Sequence, residues 1–155
     1  MKGRGWLKEF DFADVGSREM AKAAPTARRP SAYLIVGEPA SGKTRLGTAI
    51  IRRALSLEPI RQDLGFPSGN APEILGRAAK REYLFLDDFK PRRGYKFEAL
   101  CAFLTSKEWS HRPFRKVTVE TNENRTLVII SANPTVKVPV DLLKRCHVIR
   151  MKGGE

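Results

Sequence analysis

Two cysteines and two histidines in 155 residues leave little material for a disulfide framework or a zinc site. Cys101 and Cys146 are too few to staple a small secreted domain, and nothing in their use suggests an oxidising compartment. Neither cysteine stands at metal-ligand spacing from another Cys or from a His. His111 reads as a surface or turn residue. Long hydrophobic runs are also missing, and no stretch approaches the ~20 apolar residues of a membrane span. Met1–Glu9 has no apolar centre, which argues against a signal peptide. The expectation is a soluble, cytoplasmic protein with no membrane partner. Acidic residues are in deficit, with 17 Asp+Glu against 29 Lys+Arg and a net charge of +12. Such a surplus points to a polyanionic partner and says nothing about fold.

What is present fits one domain of ordinary size, with 41% hydrophobic residues and no internal repeat. The charge is unevenly spread. Residues 31–89 carry 8 basic and 7 acidic side chains, whereas residues 90–116 carry 8 and 2. Half the surplus therefore lies in one short stretch.

Residues 1–30 mix charge with Gly and Pro and read as an arm and linker, with a short helix from about Ser17 to Ala24 capped by Ser17. Residues 31–152 read as a core and 153–155 as a tail. Ala32–Val36 is continuously apolar and β-prone, as expected of a strand buried on both faces. A helical pattern follows over Lys43–Leu55, then a weak strand near Pro59–Gln62 and a turn at Pro67–Asn70. Pro72 suits the first turn of a helix reaching Lys80. Tyr83–Leu86 is a second buried strand, and a helix is expected over Lys96–Trp109. Phe114–Glu120 and Thr126–Ser131 read as a hairpin about the polar tip Thr121–Asn124. A short helix at Asp141–Arg145 and a strand at His147–Met151 complete the alternation. The pattern predicts an α/β fold with a largely parallel sheet.

Three elements in this pattern carry chemistry. Gly37-Glu38-Pro39-Ala40-Ser41-Gly42-Lys43-Thr44 fits G-x-x-x-x-G-K-[ST] between a buried strand and a helix. Glycines let backbone N–H groups turn inward around phosphates, and the helix start adds partial positive charge. Lys43 would reach the β- and γ-phosphates, the Thr44 hydroxyl would hold Mg²⁺, and Arg45 follows in the same loop. Asp87-Asp88 ends a buried strand on the edge where open α/β sheets bind ligands. There Asp87 would help hold Mg²⁺ and Asp88 would polarise the attacking water. Asn133, after the strand Leu127–Ser131, would reach the γ-phosphate or that water.

Together these look like a Walker A motif, a Walker B motif and a sensor 1, and they resemble AAA+ P-loop ATPases over about residues 32–151. The short spacing resembles the superfamily 3 helicases of viruses, phages and mobile elements, in which a basic strand or hairpin runs into the sensor strand. The resemblance implies a three-layer αβα sandwich with a mainly parallel five-stranded sheet in the order 5-1-4-3-2. Pro139–Cys146 is similar to a stretch of those relatives, and by that resemblance Arg145 is the candidate arginine finger, acting on ATP in a neighbouring subunit. Typical relatives continue into a helical lid. Here the sequence ends at Lys152–Glu155, so the expectation is a core without a C-terminal lid. Adenine contacts would then come from the arm, where Phe10–Gly16 loosely resembles the adenine-contacting segment, or from a neighbour.

The implied activity is ATP hydrolysis at the β–γ phosphoanhydride with Mg²⁺, in a homo-oligomer such as a hexameric ring that works as a DNA helicase or translocase in phage or mobile-element replication. Lys90, Arg92, Arg93, Lys96, Arg112, Arg115 and Lys116 would track DNA phosphates without reading sequence. Tyr95, Trp109 and Phe114 lie among them. Two other readings fit the same motifs. One is an ATP-dependent loader or assembly switch for a replication partner. The other is a small P-loop kinase with its acceptor site in the basic stretch.

Overall fold

The structure is a computed structural model and describes residues 5–62, 71–91, 97–113 and 115–153. Its centre is β1 (Ser31–Val36), β3 (Tyr83–Leu86) and β6 (Leu127–Ala132). These strands are apolar along almost their whole length because both faces are covered; all of β3 and β6 is buried. With β7 (His147–Arg150) they form four neighbouring parallel strands, and the two-residue β2 (Arg61–Gln62) extends the edge. The order is β2-β3-β6-β1-β7, with every pairing parallel.

Alternate side chains feed two cores. Leu34, Leu84, Leu86, Val128 and Ile130 pack with α3 (Ala71–Arg81), α4 (Glu98–Thr105) and α5 (Val140–Lys144). Tyr33, Ile35, Phe85, Ile129 and Ile149 pack on the other face with α1 (Val15–Ala23) and α2 (Lys43–Leu55). Helices thus cover both faces of the sheet. α2 approaches closely at Gly47, where an added Cβ would stand 2.6 Å from Phe85 Cζ and 3.0 Å from Ile129 Cγ2.

Several expectations need correction. The cap of α1 is Asp14, whose carboxylate accepts from Ser17 N at 2.6 Å. Ser17 is buried within the helix, and its hydroxyl accepts from Arg150 N at 2.9 Å. α4 stops at Thr105 rather than reaching Trp109, because Ser106 is extended. Trp109 lies in β4 (Glu108–His111), edge-on to Phe103 with ring centroids 5.0 Å apart.

The hairpin is also displaced. β4 pairs antiparallel with β5 (Glu120–Glu123), from Glu108↔Glu123 to His111↔Glu120, so the expected tip is mostly strand. β6, with every residue buried, belongs in the middle of the parallel sheet; an apolar strand of this kind cannot serve a half-exposed hairpin. The hairpin rests on α3. His111 is buried rather than exposed, its imidazole lying over Gly76, where an added Cβ would collide with the ring. Lys80 pairs with Glu120 and holds that carboxyl below its ordinary value.

Residues 5–30, expected as arm and linker, contribute Leu7, Phe10, Ala21 and Ala24 to the core. Phe12 bridges Met151 antiparallel, flanked by Ala13 N→Arg150 O (2.9 Å) and Lys152 N→Asp11 O (2.8 Å). The expected turn at Pro67–Asn70 lies outside the described residues. Among the described residues, no helix is long and apolar enough to cross a membrane.

Candidate functional site

Parallel strands end on one edge, and here that edge gathers the chemistry. Val36 pairs with Ala132 and Leu86 with Ile130, so the segments after β1, β3 and β6 emerge side by side. The loop after β1 curls tightly, with left-handed backbone at Ala40 (φ 65°) and Gly42 (φ 94°). A side chain at Gly37 would run into Ser41 Oγ and stand 3.0 Å from Met151 Cβ. Gly42 opens α2 with no side chain bonded into the helix start, among the described residues. The first N–H groups of a helix have no partner within it and so remain available to an anion. Ser41 Oγ is itself buried without a partner among the described residues.

Lys43 lies across this loop. Its ammonium donates to Glu38 O at 3.0 Å and to Asn133 Oδ1 at 3.1 Å. The second contact joins the segments that follow β1 and β6, which pair in the sheet but stand far apart in sequence. Beside it, Asp87 Oδ1 accepts from Thr44 Oγ1 at 2.8 Å and from Ser131 Oγ at 2.6 Å. Its other oxygen, Oδ2, pairs with Arg61 Nη1 at 3.3 Å. The Ser131 hydroxyl also accepts from Asp88 N at 2.9 Å, fixing the turn that follows β3. Asp88 itself is left-handed (φ 53°), and its side chain is 59% exposed and turned to Lys90, 3.4 Å away.

The structure therefore joins Lys43 with Asn133 and Thr44 with Asp87, and it leaves Asp88 on the outer side. A cleft of about 470 Å³ opens next to them, lined by Ala40–Arg45 and by Glu9 and Asp11. Arg45 donates to Glu9 O at 3.5 Å, and its guanidinium stands 5.4 Å from the centroid of the buried Phe10 ring. Glu38, Pro39 and Ala40 are exposed on the loop's outer turn.

Arg145 is elsewhere. Its guanidinium donates to Cys101 O (3.1 Å) and Thr105 Oγ1 (2.9 Å) at the end of α4. It lines a cleft with Ser31–Tyr33 and His147, where β1 and β7 begin, on the edge opposite Lys43. Nearby, burial pushes the Cys146 thiol up to about 12, with Cys101 adding to the effect.

The basic residues are divided. Lys90 sits by Asp88, whereas Arg112, Arg115 and Lys116 lie in the connection that closes the β4–β5 hairpin, with Lys116 3.6 Å from Glu120. The same connection exposes Val117 (92%) and Val119 (64%). Arg92, Arg93 and Lys96, and with them Tyr95 and Phe114, lie outside the described residues.

Ser131, Arg61 and Glu9 carry no role in the sequence reading, whereas Asp11 lies in the Phe10–Gly16 segment expected to contact adenine. Ser131 did leave a signal, as a hydroxyl at the end of an otherwise apolar strand buried on both faces. Arg61 and Glu9 depend on tertiary pairing and left none. Hard oxygen donors at Thr44 and Asp87 suit Mg²⁺, which takes one or two carboxylates and completes its shell from phosphate and water. Among the described residues there is no group of three or more His, Cys, Asp or Glu that could hold a metal ion. Comparison with protein-family models and with curated proteins finds no match.

Proposed function

We propose that this chain is an ATP-binding and ATP-hydrolysing core of AAA+ type, working as a DNA helicase or translocase in phage or mobile-element replication. The observation that carries the reading is the convergence of Lys43 on Asn133 and of Thr44 on Asp87 at one sheet edge. Numbering the parallel strands along the chain gives 2-3-4-1-5, the order 5-1-4-3-2 seen from the other side. The hairpin standing just before β6 favours the superfamily 3 branch.

On this reading the loop N–H groups and Lys43 hold the β- and γ-phosphates. Lysine has only donors, so the Asn133 oxygen faces Lys43 and its Nδ2 hydrogens are left for a phosphate oxygen or the attacking water. Mg²⁺, when bound, would supply positive charge that offsets the negative charge of the phosphates. Thr44 and Asp87 would hold it. Asp88 would take the proton of the water attacking the γ-phosphorus, while ADP leaves with the β–γ bridging oxygen. Glu9, Asp11 and the Phe10–Arg45 pair border the cleft, where a base or ribose would lie.

Arg145 cannot serve its own chain's nucleotide. The six residues of β1 separate the two edges by roughly 20 Å. It would act on a neighbour's ATP, which calls for a homo-oligomer such as a hexameric ring. Lys90 and the hairpin-tip residues Arg112, Arg115 and Lys116 would contact DNA, as Arg92, Arg93 and Lys96 would from the adjoining segment.

A second reading, an ATP-dependent loader or assembly switch, is favoured by Asp88, which is turned toward Lys90. The test measures binding of a fluorescent ATP analogue, phosphate release and strand separation, with and without single-stranded DNA at ~50 mM salt, where phosphate contacts are strong. Lys43→Ala should abolish nucleotide binding. Phosphate release that DNA leaves unchanged would sink the motor reading, and unwinding would exclude the switch. Transfer of phosphate to an acceptor instead of water would make the protein a kinase.

A further inference from the structure

Asp87 is a carboxylate with every near partner already in place. Two hydroxyl donors occupy Oδ1, and a guanidinium occupies Oδ2. The third partner is the unusual one. A carboxylate expected to hold a divalent cation is here paired with a monovalent cation from its own chain. Arg61 owes its place to β2, which pairs with β3 through Arg61↔Phe85 and Gln62↔Leu86 and so brings the arginine to the edge where Asp87 emerges.

We propose that Arg61 is a displaceable latch on Asp87, occupying the carboxylate until a nucleotide-bound divalent cation takes it. The inference deepens the nucleotide-site reading and rests on it. The two ends of the pair differ in a way that suits exchange. Asp87 is 15% exposed and fixed by two short hydroxyl bonds, whereas Arg61 is 62% exposed and contacts it at 3.3 Å. The carboxylate is held in place, and the cation upon it is loosely held and half in solvent. Seating a divalent ion on the same carboxylate places two cations together, and their repulsion releases the more weakly held one.

Without the nucleotide, Arg61 neutralises a carboxylate that would otherwise stand beside an incoming triphosphate and repel it. With the metal present, that service is no longer needed and the latch becomes a competitor. Arg61 therefore acts in opposite directions on metal-free and metal-loaded nucleotide. An ordinary surface ion pair would not behave so; its loss would change thermal stability and leave metal dependence alone.

The experiment is equilibrium binding of a fluorescent ATP analogue to the full chain, as wild type, Arg61→Ala and Arg61→Lys. Each is measured in EDTA and across a Mg²⁺ titration. In Arg61→Ala the Mg²⁺ concentration for half-maximal binding should fall about fivefold, the equivalent of ~1 kcal/mol for a half-exposed ion pair. Affinity in EDTA should weaken. Arg61→Lys, which keeps the charge but loses the planar fork, should lie between the two. An unchanged Mg²⁺ midpoint in Arg61→Ala, with wild-type nucleotide binding intact, overturns the latch and leaves the nucleotide site standing. A wild-type chain that binds no nucleotide under either condition overturns the site reading and the latch with it. Arg61 is exposed, so the variants should fold, and a thermal melt on the same samples checks this.

Discussion

Replacing Ser131 by alanine removes one oxygen from the centre of the candidate site. The residue is fully buried, and its hydroxyl does two jobs, donating to Asp87 Oδ1 at 2.6 Å and accepting from Asp88 N at 2.9 Å. The first bond ends on a carboxylate, and such bonds contribute roughly 1.5–3 kcal/mol. The second leaves a backbone N–H without its acceptor, at about 1–3 kcal/mol if water stays out. Asp88 is half in solvent, so water recovers part of the second loss. The net expectation is about 2–4 kcal/mol. For a chain of this size each kcal/mol moves the midpoint by about 2–4 °C, which predicts a drop of roughly 5–15 °C. Urea unfolding followed by tryptophan fluorescence would measure it, with an unchanged m-value showing that the unfolded state is the same. A double-mutant cycle with Asp87→Ala should give a coupling of at least ~1 kcal/mol, because both changes remove the same bond. Ser131→Ala within ~0.5 kcal/mol of wild type, or additive with Asp87→Ala, would refute the reasoning.

Two further outcomes follow. Arg145→Ala should lose its bonds to Cys101 O and Thr105 Oγ1, lowering stability by about 1–2 kcal/mol. It should also cut ATP hydrolysis by roughly 10³-fold while leaving nucleotide binding intact, and parallel loss of binding would remove the finger assignment. The Cys146 thiol, raised to about 12 from an ordinary 9, keeps its proton in the fold when the unfolded chain has lost it, so its stabilisation fades as pH rises from about 9 to 12. At pH 8 its thiolate fraction should be roughly 10³-fold below that of the unfolded chain. Thiol labelling of native and guanidinium-unfolded protein tests this, and equal rates would contradict the burial.

Legibility in the sequence followed the range of the forces involved. Strands buried on both faces announce themselves as apolar runs, and β1, β3 and β6 fall where those runs lie. The bounds of α2 agree with its pattern because a glycine and a left-handed Ser56 terminate it locally. β5 was hidden because Glu120-Thr121-Asn122-Glu123 is polar throughout and resembles a turn. It is a strand by virtue of its pairing with β4 and its lysine partner on α3. Asp14 and Ser17 are equally good capping types, and the choice fell on Asp14 once Arg150 claimed the Ser17 hydroxyl. Within the site, the loop glycines and lysine stand at fixed short spacing and the two acids directly follow an apolar run, which is why they could be named. Ser131 and Arg61 reach Asp87 only through strand order. No local pattern encodes that, least of all where the strand bringing Arg61 is two residues long.

The position of β1 between β6 and β7 has a consequence for biosynthesis. Neither neighbour exists when β1 leaves the ribosome, and about 90 residues separate Val36 from Leu127. At synthesis rates of ~5–20 residues per second, the Tyr33-Leu34-Ile35-Val36 run waits roughly 5–18 s with both of its pairing edges open. The loop Gly37–Thr44 is tethered to that waiting strand, and Asn133, which meets Lys43, is made only after it. On the proposed reading, nucleotide could not stabilise the early folding of a nascent chain.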